Sequence, residues 1–151
     1  MKIKDILSEQ NTRKYTDEEL KDETKEYFNN KATRKEFPNL FKDQAHMIQV
    51  LKNAPVKLLS KDILHNLENS DVGDVLAAKN PRALADKLAK KYNRDITSVY
   101  DGLQNGKVPA PIVLKRGDHY YLLAGNTRLM ASAVLGKNLP VKLINVEVNN
   151  K

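Results

Sequence analysis

The stretch LLAGNTRLMA, at residues 122–131, passes from an apolar run into a glycine and then directly into a helical pattern. This order predicts a strand that ends at Ala124 and a helix that begins near Thr127. Glycine permits a tight reversal of the chain and lets a ligand approach the backbone closely. The first N–H groups of the helix have no partner within it, and with the helix dipole they form a site that suits an anion.

Four consecutive residues of this turn are therefore predicted to bind an anion such as a nucleotide phosphate. Gly125 shapes the turn, Asn126 is expected to cap the helix, and Thr127 adds a hydroxyl donor. Arg128 offers a planar guanidinium that matches a phosphate group. The alternative is a simple turn glycine followed by a surface arginine, because Gly-x-x-Arg is short and common. Two more cations, Lys115 and Arg82, are candidates for phosphate binding outside the turn.

The turn lies within a pattern of two strands, a helix and a third strand. Residues 111–115 (PIVLK) and 120–124 (YYLLA) predict a hairpin. The helix after the turn is expected to end near Leu135, with Gly136 just past its end. Residues 140–146 read as the last strand.

The chain before residue 106 is predicted to be mainly helical. Residues 1–8 form a short amphipathic piece, and residues 56–59 read as a short strand. Helix starts are indicated by residues that can accept hydrogen bonds from a first helical turn: Thr16, Asp43, Ser60, Asn80 and Asp95. Helices followed by strand, strand, helix and strand predict an α+β fold. We expect a helical N-terminal extension over residues 1–53, packed on a small mixed sheet within a domain over residues 54–151.

Composition limits the chemistry that the chain can perform. Its 151 residues include no cysteine, which excludes disulfides, thiol catalysis and cysteine-ligated metals. The net charge of +7 is uneven: residues 1–70 carry 13 basic and 12 acidic residues (+1), and residues 71–151 carry 13 and 7 (+6). A basic half favours phosphate-bearing partners, either nucleotides or nucleic acid, although an excess of this size also fits an ordinary solubility charge.

The same composition gives expectations about location and metals. No segment is apolar over the length of a membrane span and the N-terminus is not a signal peptide, so we expect a cytoplasmic protein with no membrane partner. The three histidines lack the spacing of metal ligands, and no dedicated metal site is predicted. Mg²⁺ that accompanies a nucleotide is compatible with this sequence.

Residues 106–147 as a whole resemble the ParB/sulfiredoxin-like superfamily, through the hairpin, the GNTR turn, the alanine-rich helix and the final strand. In that superfamily the Gly-x-x-Arg turn binds the phosphates of ATP, ADP or CTP. The resemblance therefore implies that Gly125, Asn126, Thr127 and Arg128 bind a nucleoside di- or triphosphate. It is faint or absent before about residue 54.

The sequence differs from that superfamily at the turn positions that carry the reactive residues of sulfiredoxins and ParB-type CTPases. Sulfiredoxins carry a reactive cysteine where Asn126 stands, and ParB-type CTPases carry a carboxylate and a second arginine where Asn126 and Thr127 stand. An amide cannot act as a general base. We therefore expect this turn to retain nucleotide binding but not necessarily hydrolysis. A helix-turn-helix DNA-binding domain normally follows this fold in ParB proteins, and the given sequence ends at Lys151 without one, so a partition-complex function is not expected.

Three functions remain open on this reading. The first is a nucleotide-binding domain, with phosphotransfer or slow nucleotide hydrolysis as its activities. The second is an accessory protein that binds or cleaves DNA or RNA and uses the same turn on backbone phosphate. The third is a phage-encoded protein that binds a host or phage partner through its helical N-terminus.

Overall fold

A computed structural model of the chain describes residues 12–105 and 107–146. The predicted amphipathic piece at residues 1–8 lies outside these ranges. The described part contains eight helices: α1 (Asp17–Asn29), α2 (Lys31–Glu36), α3 (Gln44–Asn53), α4 (Lys61–His65), α5 (Val72–Ala77), α6 (Pro81–Lys91), α7 (Ile96–Asn105) and α8 (Asn126–Leu135). Its six strands are β1 (Thr12–Arg13), β2 (Val56–Lys57), β3 (Val108–Pro109), β4 (Ile112–Arg116), β5 (His119–Ala124) and β6 (Val141–Asn145).

The strands form two sheets. The larger has the order β2-β6-β4-β5, in which β4 and β6 run parallel and the outer pairs run antiparallel. The predicted hairpin is confirmed as β4 and β5. The smaller sheet pairs β1 with β3 in parallel and so joins the start of the described chain to the segment just before β4. The α+β class is therefore confirmed.

The predicted helix starts are confirmed because their side chains make the expected hydrogen bonds. Thr16 and Glu19 form a reciprocal capping box at the start of α1. Each of the four other predicted caps accepts a hydrogen bond from a backbone N–H in the first turn of its helix: Asp43, Ser60, Asn80 and Asp95.

The sequence reading missed two short helices and overestimated one strand. Asn30 ends α1, and its side chain then caps α2 by accepting from the N–H of Thr33. Helix α5 begins after Asp71 without any side-chain cap, which explains why no start signal was visible. Strand β2 covers only Val56–Lys57, rather than the predicted residues 56–59.

Both faces of the larger sheet are covered by helices. On one face, buried side chains of β4 and β6 pack against the N-terminal helices α1 and α3, which contribute Leu20, Tyr27, Met47 and Leu51. On the other face, Val113, Leu122 and Val141 pack against Leu129 of α8 and Val72 of α5. The N-terminal helices thus share a core with the sheet, while the predicted domain boundary at residue 53 stays a prediction.

A further core lies beside the sheet and joins α5, α6, α7 and α8. Ala85 and Ala89 face this core from α6, and Met130 and Ala131 face it from α8. This core packs α8 against α5, α6 and α7. Within the described residues, none of the helices combines the length and the apolar character that crossing a membrane requires.

Candidate functional site

Gly125 forms the turn between β5 and α8. Its backbone is left-handed, with φ of 108°, and a Cβ atom added here would stand 2.6 Å from Cβ of Pro111. Ile112 pairs with Ala124, so the turn lies directly beside the start of β4. Both the backbone conformation and the lack of space therefore require glycine.

Asn126 does not cap α8, and that prediction is wrong. The N-cap is Gly125, and Asn126 is the first helical residue. The side chain of Asn126 bridges to the loop before α5: its Oδ1 accepts from the Ser70 hydroxyl (3.0 Å) and the Asp71 N–H (2.9 Å). Its Nδ2 donates to the Asp71 carboxylate at 2.9 Å. Asn126 thus ties the turn to a distant loop.

Arg128 is held inside the protein, with a side chain that is only 12% exposed, so the alternative of a surface arginine is wrong. Its Nη1 donates to the Tyr15 hydroxyl at 2.8 Å and to the Pro109 carbonyl at 2.7 Å. Its Nη2 donates to the Glu23 carboxylate of α1 at 2.8 Å. The Tyr15 hydroxyl in turn donates to the carbonyl of Ala110.

Burial affects the ionisation of all three side chains in this cluster. Burial raises the pKa of Tyr15 to about 12, so its hydroxyl stays protonated at neutral pH. Burial, with the neighbouring charge of Glu26, also raises the pKa of Glu23, although Arg128 lowers it. Burial disfavours the charge on Arg128, but Tyr15 and Glu23 outweigh that effect and raise its pKa. Arg128 therefore stays cationic.

A cavity of about 630 Å³ opens beside the turn, with α1 and α7 among its walls. This volume lies within the usual range for small-molecule sites. Its charged lining consists of five acidic residues, Glu19, Asp22, Glu23, Glu26 and Asp95, and four basic residues, Arg13, Arg94, Lys107 and Arg128. Three of the basic residues are paired with carboxylates of α1, so the lining is nearly balanced in charge.

The hydrogen-bond donors at the start of α8 also line this cavity. Within the described residues, neither the N–H groups of Asn126 and Thr127 nor the Thr127 hydroxyl has a hydrogen-bond partner. The N–H groups of a first helical turn point out of its N-terminal end. The cavity therefore has a cluster of donors at the end where Arg128 stands.

The structure does not bring the two other predicted cations to this site. Lys115 lies three residues along β4 from Ile112, about 10 Å away at 3.3 Å per residue, and its ammonium group is 5.6 Å from the Tyr120 ring. The Arg82 guanidinium stacks 4.3 Å above the ring of Tyr100 on α7. Neither residue lines the cavity.

Sequence reasoning missed Tyr15 and Glu23. A weak signal for Glu23 was present, because it lies three residues after Leu20 and four before Tyr27, which are both buried on α1. A carboxylate on the apolar face of a helix needs a partner. Nothing in the sequence indicated that the partner would be a residue more than 100 positions away.

Among the described residues, the histidines do not assemble into a second site. His119 lies 3.3 Å from the Glu68 carboxylate, and both side chains are exposed. Among the residues that the structure describes, no group of three or more acidic, histidine or cysteine side chains is placed to hold a metal ion. No family model, curated protein or solved structure matches this chain.

Proposed function

We propose that this protein binds a nucleoside di- or triphosphate in the cavity, with a phosphate group at the N-terminal end of α8. The observation that carries the proposal is the cluster of unpartnered donors from Asn126 and Thr127 beside the cation of Arg128. Helix N-termini of this kind suit phosphate because the N–H groups and the helix dipole act together. The resemblance to the ParB/sulfiredoxin-like superfamily supports the same ligand class.

Glu23 competes with a bound phosphate for the guanidinium group of Arg128. The three hydrogen bonds of Arg128 leave its Nε–H and one Nη2–H available in the inventory of a guanidinium. A phosphate that used these donors would come close to the Glu23 carboxylate and be repelled by it. Binding thus requires the phosphate to compete with Glu23, which makes Glu23 a determinant of affinity.

The acidic wall of the cavity fits the other end of such a ligand. Asp22 and Asp95 line the cavity without an ion-pair partner among the described residues. Carboxylates accept hydrogen bonds from ribose hydroxyls and from exocyclic amino groups of a base. The proposal is limited to binding, because the amide of Asn126 is engaged with Ser70 and Asp71 and cannot accept a proton.

Calorimetry with ATP, ADP and CTP, each with and without Mg²⁺, tests this proposal. Thr127→Val removes one donor to a charged group, which is worth about 1.5 kcal/mol, so we expect about tenfold weaker binding. Thr127→Ser keeps the hydroxyl and serves as the matched control, with affinity close to wild type. Absence of binding by the wild-type protein, or equal binding by Thr127→Val, would defeat the proposal.

A second variant tests the competition with Glu23. Glu23→Gln keeps the shape and the acceptor oxygen but removes the charge that opposes phosphate. We expect nucleotide affinity to rise at least about threefold, since like charges a few ångströms apart repel by about a kilocalorie per mole even in high dielectric. A fall in affinity in a variant that still folds would show that Glu23 assists binding instead.

A further inference from the structure

The outward face of α6 carries three lysines on one side of the helix. Lys87, Lys90 and Lys91 are exposed, while Ala85 and Ala89 on the opposite side are buried in the core. Residues spaced by three and four positions are neighbours on a helix surface, about 5–6 Å apart at their Cβ atoms. The three ammonium groups therefore form one compact patch of positive charge.

None of these lysines forms an ion pair within the described residues. The one carboxylate of α6, Asp86, lies four residues before Lys90, but it forms no ion pair with it and accepts a hydrogen bond from the Tyr100 hydroxyl at 3.0 Å. Lysines in the last turn of a helix also interact favourably with the helix dipole. This role explains the positions of Lys90 and Lys91 but not that of Lys87.

An exposed aromatic ring stands next to the lysines. Tyr92 is the C-cap residue of α6 and is 46% exposed. Among the described residues, only Val56 is a comparably exposed large apolar side chain. The ammonium group of Lys91 lies 5.6 Å from the centre of its ring. An exposed ring with a cation beside it offers a flat stacking surface as well as charge.

We propose that Lys87, Lys90, Lys91 and Tyr92 form a binding surface for single-stranded nucleic acid. Lysine ammonium groups bind backbone phosphates without regard to sequence. Stacking on an aromatic ring is open to a base only where the strand is unpaired, which favours a single strand over a duplex. None of these four residues lines the cavity, so this surface is separate from the proposed nucleotide site and does not depend on it.

Fluorescence anisotropy with a labelled 16-nucleotide oligo(dT) at low salt tests the surface. We expect the logarithm of the binding constant to fall with the logarithm of salt concentration with a slope of about −2, from three phosphate contacts on a single strand. The triple variant Lys87→Glu, Lys90→Glu, Lys91→Glu should lose at least about tenfold in affinity. Tyr92→Ala should lose about fivefold or more through stacking, while Tyr92→Phe should bind as wild type.

A matched control separates a local surface from a general effect of net charge. Lys31, Lys35 and Lys42 are exposed, lie in the N-terminal third of the chain and take part in none of the ion pairs of the described residues. Replacing all three by Glu changes the net charge by the same amount and should leave affinity within about twofold of wild type. Thermal unfolding of each variant checks that it is folded.

Three outcomes would overturn the proposal. The first is no binding by the wild-type protein at low salt. The second is an equal loss of oligo(dT) affinity in the two triple variants, which would show that binding depends only on net charge. The third is unchanged binding by Tyr92→Ala, or tighter binding to a duplex of the same length, since either result contradicts a stacked single strand.

Discussion

Each end of α8 is capped by a glycine with a left-handed backbone, but the surroundings of the two glycines differ. Gly125 at the N-terminal end has φ of 108° and no room for a Cβ atom, because Pro111 stands against it. Gly136 at the C-terminal end has φ of 66°, and a Cβ atom there would meet nothing within 4 Å. One glycine is required by tertiary packing and the other only by local backbone conformation.

The difference extends to the neighbouring side chains. At the N-terminal end, Asn126 and Arg128 contact three distant parts of the chain: the loop at Asp71, the segment at Pro109, and Glu23 of α1. At the C-terminal end, the backbone closes on itself through the N–H groups of residues 136 and 137, and the Lys137 ammonium group donates to the Leu103 carbonyl of α7 at 3.4 Å. The end that faces the cavity thus has the larger set of contacts with distant parts of the chain.

The largest expected effect comes from adding one methyl group at each end of α8. Gly125→Ala combines backbone strain with a clash against Pro111 and should lower the free energy of unfolding by about 4 kcal/mol. Gly136→Ala meets no neighbour and should cost about 1 kcal/mol, from the left-handed backbone alone. Urea denaturation measures both values. Equal losses for the two variants would contradict the difference between the ends.

The second effect contrasts a buried ion pair with an exposed one. Arg128→Met leaves Glu23 and Tyr15 without their buried partner and should cost about 3 kcal/mol. Arg13→Met breaks a pair of almost the same length, 2.7 Å to Glu19, but those side chains are 42% and 32% exposed. It should cost less than about 1 kcal/mol. A comparable loss for both variants in urea denaturation would show that burial does not distinguish the pairs.

The smallest effect is a difference in pH dependence between the two glutamates of α1. The hydrogen bond from Arg13 lowers the pKa of Glu19 to about 2. Glu19 therefore adds stability above its ordinary pKa of 4.5, and this contribution is lost as the pH falls from about 4.5 towards 2. Burial raises the pKa of Glu23 above its ordinary value of 4.5. The ionisation of Glu23 therefore lowers the free energy of unfolding as the pH rises from 4.5 through the raised pKa.

Unfolding free energies measured from pH 2 to 7 for Glu19→Gln and Glu23→Gln test these signs. Glutamine at position 19 still completes the capping box, so the comparison isolates the charge. Relative to wild type, Glu19→Gln should lose stability above pH 4.5, by less than about 1 kcal/mol because the pair is partly exposed. Glu23→Gln should show the opposite slope, and slopes of the same sign would refute the assignment.

Local features of the fold were predictable because they rest on nearby residues. The side chains of Thr16 and Glu19, and the Asn80-Pro81 pair, mark helix starts by themselves. The β4–β5 hairpin is visible as two apolar runs separated by a short polar turn. Helix α5 was not predictable, because it starts without a side-chain cap and is stabilised by packing of Val72 and Val75 in two cores.

The candidate site divides in the same way. The sequence alone determined that a glycine turn would precede a helix with free N–H groups, since both follow from residues 122–131 and backbone geometry. Only the tertiary structure decided that Arg128 is buried against Glu23 and Tyr15, that Asn126 ties down the loop at Asp71, and that Lys115 and Arg82 lie elsewhere. The reason is physical: a buried charge is stabilised by partners that approach it in space, and their distance along the chain leaves no pattern in the sequence.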